Sequence, residues 1–145
     1  MKLLIINGPN LNLLGLRQPE IYGSESMDDC LKRLRQRFPE IEIDYCQSNH
    51  EGVIIDLIHK NGMSEAGCDG IILNAGAYSH TSLAIADAIA SAMVPVVEVH
   101  ISNVASREPI RRVSMIGPVC HGVVAGFGLD SYRLAVEAFK EIVAR

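Results

Sequence analysis

The chain contains no tryptophan, and its only large aromatic side chains are three phenylalanines and four tyrosines. A bound flavin would therefore lack its favoured stacking partner, the indole ring. A basic excess is missing as well: 13 Lys and Arg stand against 17 Asp and Glu, for a formal charge of −4. The basic residues are scattered rather than gathered on one segment, which argues against a nucleic-acid interface. Long clean apolar runs are also lacking. The longest candidate, "LAIADAIASAMVPVVEV", is interrupted by Asp87, Pro95 and Glu98, so no segment is expected to span a bilayer. Cys30, Cys46, Cys68 and Cys120 show no C-x-x-C spacing. That argues against a zinc site, the size of the core argues against a disulfide framework, and buried free thiols are the expectation. The opening "MKLLIINGPN" is too short in its apolar part for a secretory leader and has no small-residue cleavage site. It reads as a first strand, and a cytoplasmic location is expected. Repeats, low-complexity tracts and linkers are absent too, so residues 1–145 are read as one domain.

What is present is an alternation of apolar strands with amphipathic helices. "KLLIIN" (2–7) is continuously apolar, as in a strand covered on both faces. Met27, Cys30, Leu31, Leu34 and Phe38 recur at helical spacing after Ser26, with Asp29 completing a capping-box-like start. "IEIDYCQ" (41–47) alternates apolar and polar residues, which predicts a strand at a sheet edge. "EGVIIDLIHKNG" (51–62) reads as a helix with Gly62 as its C-cap. "GIILNAGAYSH" (70–80) begins as a buried strand, and an alanine-rich helix follows over 81–93. "VPVVEVHIS" (94–102) and "GVVAGFG" (122–128) supply two more strands, and Asp130 is expected to cap a last helix running to about residue 143. Such alternation predicts a parallel sheet with helices on both faces. Five strands in this length suit a flavodoxin-like three-layer α/β fold.

In open sheets of this class the site lies beyond the carboxyl ends of the strands. Those ends carry Asn10, Asn74, His80, His100, Ser102 and Asn103, with Arg107 and Arg111 on the next loop. The set suits a polyhydroxylated, anionic small molecule. Glu98 precedes His100 by two residues, so the period of a strand puts both side chains on one face. A carboxylate beside an imidazole fixes its tautomer and suits it to act as a general acid. For His50, His59 and His121 a structural role is expected. The segment "GLRQPEIYG" (15–23) is longer than a strand-to-helix connection needs, and it carries Arg17 and Tyr22. A free phenol is about one part in a thousand ionised at neutral pH, and an arginine in a dry site favours the phenolate. Taken alone, the pair reads better as Tyr22 packed on the first helix and Arg17 in solvent. Competing chemistries find less support. Neither G-x-G-x-x-G nor G-x-x-x-x-G-K-[ST] occurs, and "NAGAYSHTS" is only loosely like a flavin-phosphate loop. No G-x-S-x-G elbow and no histidine pair with metal-ligand spacing appear. No lysine falls at the carboxyl end of a strand. A flavin- or nucleotide-binding module without catalysis remains the alternative.

The stretches "INGPNLNLLGLRQPEIYG", "QSNHEG", "ILNAGAYSHTS", "EVHISNVASREPIRRVS" and "GVVAGFG", in this order across nearly the whole chain, closely resemble the type II 3-dehydroquinate dehydratases. The resemblance implies a lyase that removes water from 3-dehydroquinate to give 3-dehydroshikimate through an enolate, with no cofactor and no metal. It implies Tyr22 as the base, Arg17 as the group that holds its phenolate, Asn10 as a stabiliser of the enolate and His100 as the acid. Asn74, His80 and Arg111 would hold the ring hydroxyls, and Ile101 and Ser102 the substrate carboxylate. Arg107 matches a further family arginine. Asp87 would approach the site of a neighbouring subunit, in a dodecamer built from trimers. The sequence departs from common family residues at Ala86, Ala105, Ile110, Met115 and Ile116, none of which is assigned to the chemistry.

Overall fold

Strand β1 (Lys2–Asn7) lies in the middle of the molecule, and its residues alternate between two apolar layers. Leu3 and Ile5 enter one layer, while Leu4 and Ile6 enter the other, as the two-residue period of a strand requires. The computed structural model describes residues 1–16, 19–22, 24–64 and 67–144, without the side chains of Pro19 and Tyr22. β1 pairs in parallel with β2 (Glu42–Gln47) on one side and with β3 (Gly70–Asn74) on the other. β4 (Val96–His100) and β5 (Gly122–Ala125) extend the sheet beyond β3, again in parallel. The order β2-β1-β3-β4-β5 is the flavodoxin-like one; the alternation of elements predicts the parallel sheet but not this order.

Among the described residues there are five α-helices, four of which cover this sheet. α1 (Pro19–Tyr22) is a single turn between β1 and α2 (Met27–Arg37). α2 and α5 (Asp130–Val143) share the layer that holds Leu3 and Ile5. α3 (Glu51–Gly62) and α4 (Leu83–Ser91) share the opposite layer. Both α2 and α4 start on a serine cap. The Ser26 hydroxyl accepts from the Asp29 N–H at 3.2 Å, and the Ser82 hydroxyl accepts from the Ile85 N–H at 2.9 Å. Such caps satisfy amides that a helix start leaves without partners. No helix is long and apolar enough to cross a membrane among the described residues.

Several local expectations need correcting. Gly62 is the last residue of α3 rather than a left-handed cap, and Met63 follows it as the cap residue. Its lack of a side chain serves packing instead, since a Cβ there would sit 3.3 Å from Ala92 and Ile71. Asp130 is the first residue of α5 and not its cap, and its carboxylate pairs with Arg133 one turn on. Residues 76–80 wind into a 3-10 turn, and α4 is shorter than the alanine-rich stretch. Alanine favours helix, but Pro95 and the tight return into β4 end α4 at Ser91. Cys30 and Cys68 are buried free thiols, whereas Cys46 and Cys120 are half-buried. β2 lies at the sheet edge, as its alternating pattern predicts.

The strand ends approach one another closely. Gly8 follows β1 and donates its N–H to the Asn74 carbonyl at 2.7 Å. A Cβ on Gly8 would sit 2.6 Å from the Ala75 carbonyl oxygen, so only glycine allows the loops after β1 and β3 to meet.

Candidate active site

Loops from the carboxyl ends of β1, β3 and β4 surround a cavity of about 80 Å³. Asn10 and the leucines 11, 13 and 14 form one wall. Asn74, Gly76 and His80 form the second, and His100, Ile101, Ser102, Arg107 and Arg111 close the third. Nine of the residues proposed from sequence are therefore distributed as follows: eight of them (Asn10, Asn74, His80, His100, Ile101, Ser102, Arg107, Arg111) line this one cavity. Asp87 does not line it; the side chain is exposed on α4. Arg17 and the Tyr22 side chain lie outside the described residues, as does Gly23.

His100 ends β4 and is only 6% exposed. Its Nε2 lies 2.5 Å from Oε1 of Glu98, which is wholly buried on the same face of the strand. A buried carboxylate is tolerated where a partner shares its charge and donors fill its lone pairs. The Ser114 hydroxyl supplies a second donor to the same oxygen at 2.8 Å, and the Gly117 N–H holds that hydroxyl at 2.9 Å. Gly117 also makes room for the carboxylate, because a Cβ there would meet Oε2 at 2.9 Å. With Nε2 directed at a carboxylate, His100 offers Nδ1 to a ligand.

His80 stacks on His100, with ring centroids 5.8 Å apart and planes inclined by 23°. Its Nδ1 lies 2.7 Å from the Val113 carbonyl oxygen. A carbonyl only accepts, so Nδ1 carries a proton and Nε2 is the atom left to the cavity. Arg111 pairs with Glu108, and the Arg107 carbonyl accepts from Arg112 Nε at 2.8 Å. A hydrogen bond from its own backbone N–H, and after it the Arg111 side chain, hold the Glu108 carboxyl below the usual carboxylate range.

Asn10 is the only non-glycine residue with positive φ among the described residues, at 67°. Asparagine tolerates this left-handed conformation better than most residues. Its N–H donates to Asn49 Oδ1 at 3.0 Å, and Gln47 Nε2 donates to the same oxygen at 3.0 Å. The Tyr78 hydroxyl donates to the Asn49 carbonyl at 2.9 Å. One asparagine after β2 thus ties together the loops that follow β1 and β3. On the other face of the sheet, Asn74 Nδ2 donates to the Tyr132 hydroxyl at 3.0 Å, which donates in turn to Asn7 Oδ1 at 2.7 Å.

Residues 1–140 match the family model described as dehydroquinase class II. The chain belongs to the class II dehydroquinase family. A 3-dehydroquinate dehydratase from Caldicellulosiruptor bescii is 51% identical over 144 residues, covering 98% of each chain. One from an Exiguobacterium species is 52% identical over 142 residues, covering 97% of this chain and 95% of the relative. The crystal structure of type II dehydroquinase from Butyrivibrio crossotus superposes with a TM-score of 0.91 at 45% identity, over 97% of each chain. The resemblance carried by the sequence motifs is therefore borne out.

Sequence reasoning alone did not single out Asn49, Ser114, Gly117, Asn7 or Tyr132 in this dehydroquinase. Asn49 lies within "QSNHEG", but its use as a backbone tie depends on the left-handed turn at Asn10, which sequence patterns do not reveal. Tyr132 sits at helical spacing with Ala135, Val136 and Phe139, all fully buried, and reads as ordinary core. The available signal was a hydroxyl-bearing ring in a helix whose other inward residues are apolar.

Proposed function

We propose that this dehydroquinase catalyses the dehydration of 3-dehydroquinate to 3-dehydroshikimate, acting as a hydro-lyase. The observation that carries the reading is the His100–Glu98 pair at the base of a cavity walled by polar strand ends. Elimination beside a ketone needs a base for the proton on the adjacent carbon and an acid for the departing hydroxyl. Tyr22, held as phenolate by Arg17, takes that proton and leaves an enolate, whose developing charge Asn10 helps to stabilise. His100 then protonates the hydroxyl as it leaves, through the nitrogen that Glu98 does not occupy. Glu98 fixes the direction of the His100 ring through Nε2, so the nitrogen that gives up the proton faces the leaving hydroxyl. Asn74, His80 and Arg111 hold the ring hydroxyls, Ile101 and Ser102 receive the carboxylate, and Arg107 adds positive charge at the rim. The exposed position of Asp87 on α4 supports its reaching the site of a neighbouring subunit in a trimer-based dodecamer.

The decisive experiment is turnover of 3-dehydroquinate by purified protein, followed by ultraviolet absorbance of the conjugated enone without added metal or nucleotide. Steady product formation is expected. Borohydride in the presence of substrate should leave the enzyme active, because no lysine adduct forms. Tyr22→Phe should lower kcat by about 10²–10⁴-fold with the fold intact, and a near-wild-type rate would remove Tyr22 as the base. Thermal stabilisation by FMN with no turnover of dehydroquinate would instead support a binding module. Light scattering of the native protein tests the dodecamer.

A further inference from the structure

We propose that Tyr132 is a positioning residue for the substrate, acting by fixing the side-chain amide of Asn74 from beneath the cavity. This rests on the dehydration reading above, in which Asn74 holds a ring hydroxyl.

The geometry begins at a backbone donor whose polarity is not in question. The Gly76 N–H donates to Asn74 Oδ1 at 3.2 Å. The Asn74 oxygen must therefore face Gly76, and its NH₂ group must face the other way, toward the Tyr132 hydroxyl at 3.0 Å. The phenol, already accepting, passes its own proton to Asn7 Oδ1 at 2.7 Å. Each hydrogen bond in the series fixes the direction of the next. An asparagine amide has two N–H donors and two acceptor lone pairs. Two of these four are taken by Gly76 and Tyr132, which leaves Asn74 one N–H and one lone pair for a ligand.

Nothing about packing asks for the hydroxyl. Tyr132 is fully buried in the layer that contains Val136 and Phe139, where phenylalanine would fill nearly the same volume. A hydroxyl in such a layer is unfavourable unless it is hydrogen-bonded. Both of its partners are asparagines at strand ends, Asn7 on β1 and Asn74 on β3, and Asn74 lines the cavity. Burial also pushes the Tyr132 phenol well above its ordinary range, so it remains a neutral donor at any working pH. Without that hydroxyl only Gly76 constrains the amide, and rotation about the last side-chain torsion of asparagine is soft. A loosened amide would weaken binding of the substrate hydroxyl more than it would slow the proton transfers on the other side of the ring.

The test is steady-state kinetics with 3-dehydroquinate on wild type, Tyr132→Phe, Asn74→Ala and the double variant, well below their melting temperatures. Tyr132→Phe is expected to raise KM by about tenfold, the scale of one lost hydrogen bond, with kcat changed by less than about threefold. In the Asn74→Ala background the same change should add less than about twofold, because both substitutions act through one group. A purely structural tyrosine would lower the melting temperature and leave KM unmoved, or would multiply with Asn74→Ala; either result overturns the inference. Asn7→Leu keeps the volume but removes the acceptor on the far side of the phenol. It should raise KM in the same direction, so the inference stands or falls on that variant if Tyr132→Phe does not fold. An inactive wild type would overturn the dehydration reading and this inference with it, whereas an active wild type with an unchanged KM in the variants overturns the inference alone.

Discussion

Glu98 meets His100 through one oxygen and meets no hydrogen-bond donor through the other among the described residues. The pair is therefore asymmetric: everything that stabilises the carboxylate is gathered on the side of the imidazole and Ser114. Glu98→Gln keeps the shape and removes the acidic group that His100 Nε2 meets. The expected outcome is a fall in kcat of about 10–100-fold with a smaller change in KM; a kcat within twofold of wild type would show that the acidic group is not needed. At this scale the sequence was informative where a regular period applies. Residues two apart on a strand share a face, and that alone placed Glu98 beside His100. It was uninformative where a side chain acts from a distant element. Nothing local to "LDSYRLAVEAF" tells that Tyr132 bonds to Asn7 and Asn74, 125 and 58 residues away.

Between elements, the site depends on ties made outside the sheet ladder. Asn49 Oδ1 accepts from the Asn10 N–H and from Gln47, and it holds a backbone turn that most residues avoid. Asn49→Ala should leave the Asn10 amide without its partner, lowering activity by about tenfold, on the scale of one hydrogen bond. Asn49→Asp keeps the acceptor oxygen and should restore most of it. Equal loss in both variants, measured as kcat/KM, would show that the tie does not matter. A second close contact holds a helix to the sheet. A Cβ on Gly70 would sit 2.2 Å from the Phe139 ring, which α5 lays over β3. Gly70→Ala should therefore destabilise the chain by about 1–3 kcal/mol through overpacking, read as a shift in the urea midpoint. The order of elements was legible because apolar runs and helical spacing alternate along the chain. Element ends were less so: Gly62 and Asp130 carry the right chemistry for caps, but tertiary packing assigns them different positions.

For the molecule as a whole, burial biases several groups toward their neutral forms. It pushes the Cys30 thiol up to about 11 and the Cys120 thiol up to about 12, and it raises Cys68, Tyr45 and Tyr132 as well. In the unfolded chain these thiols and phenols ionise in their ordinary ranges, at about 8.5 and 10. Between those values and the raised ones the native state holds more protons than the unfolded state, so stability falls as pH rises. Below the ordinary thiol range these groups contribute no pH dependence. The melting temperature should therefore decline progressively above about pH 9, and a flat profile between pH 8 and 11 would contradict the burial of these groups. Asp29, Glu108 and Asp130 lie on the acid side, lowered chiefly by hydrogen bonds from Ser26, from the Glu108 backbone itself and from Arg133, respectively. Their contribution is lost as pH falls through the carboxylate range, and it is small because they are exposed. The contact between the ends of β1 and β3 also bears on chemical ageing. Asn-Gly pairs lose ammonia when the glycine nitrogen attacks the asparagine side chain, and the chain has two, Asn7-Gly8 and Asn61-Gly62. Asn7 is fully buried and the Gly8 N–H is bound to Asn74, while Asn61 bonds to the Leu57 carbonyl inside α3. Neither glycine nitrogen is placed to attack while the chain is folded, so the shelf life of the enzyme should follow its rate of opening rather than its asparagine content.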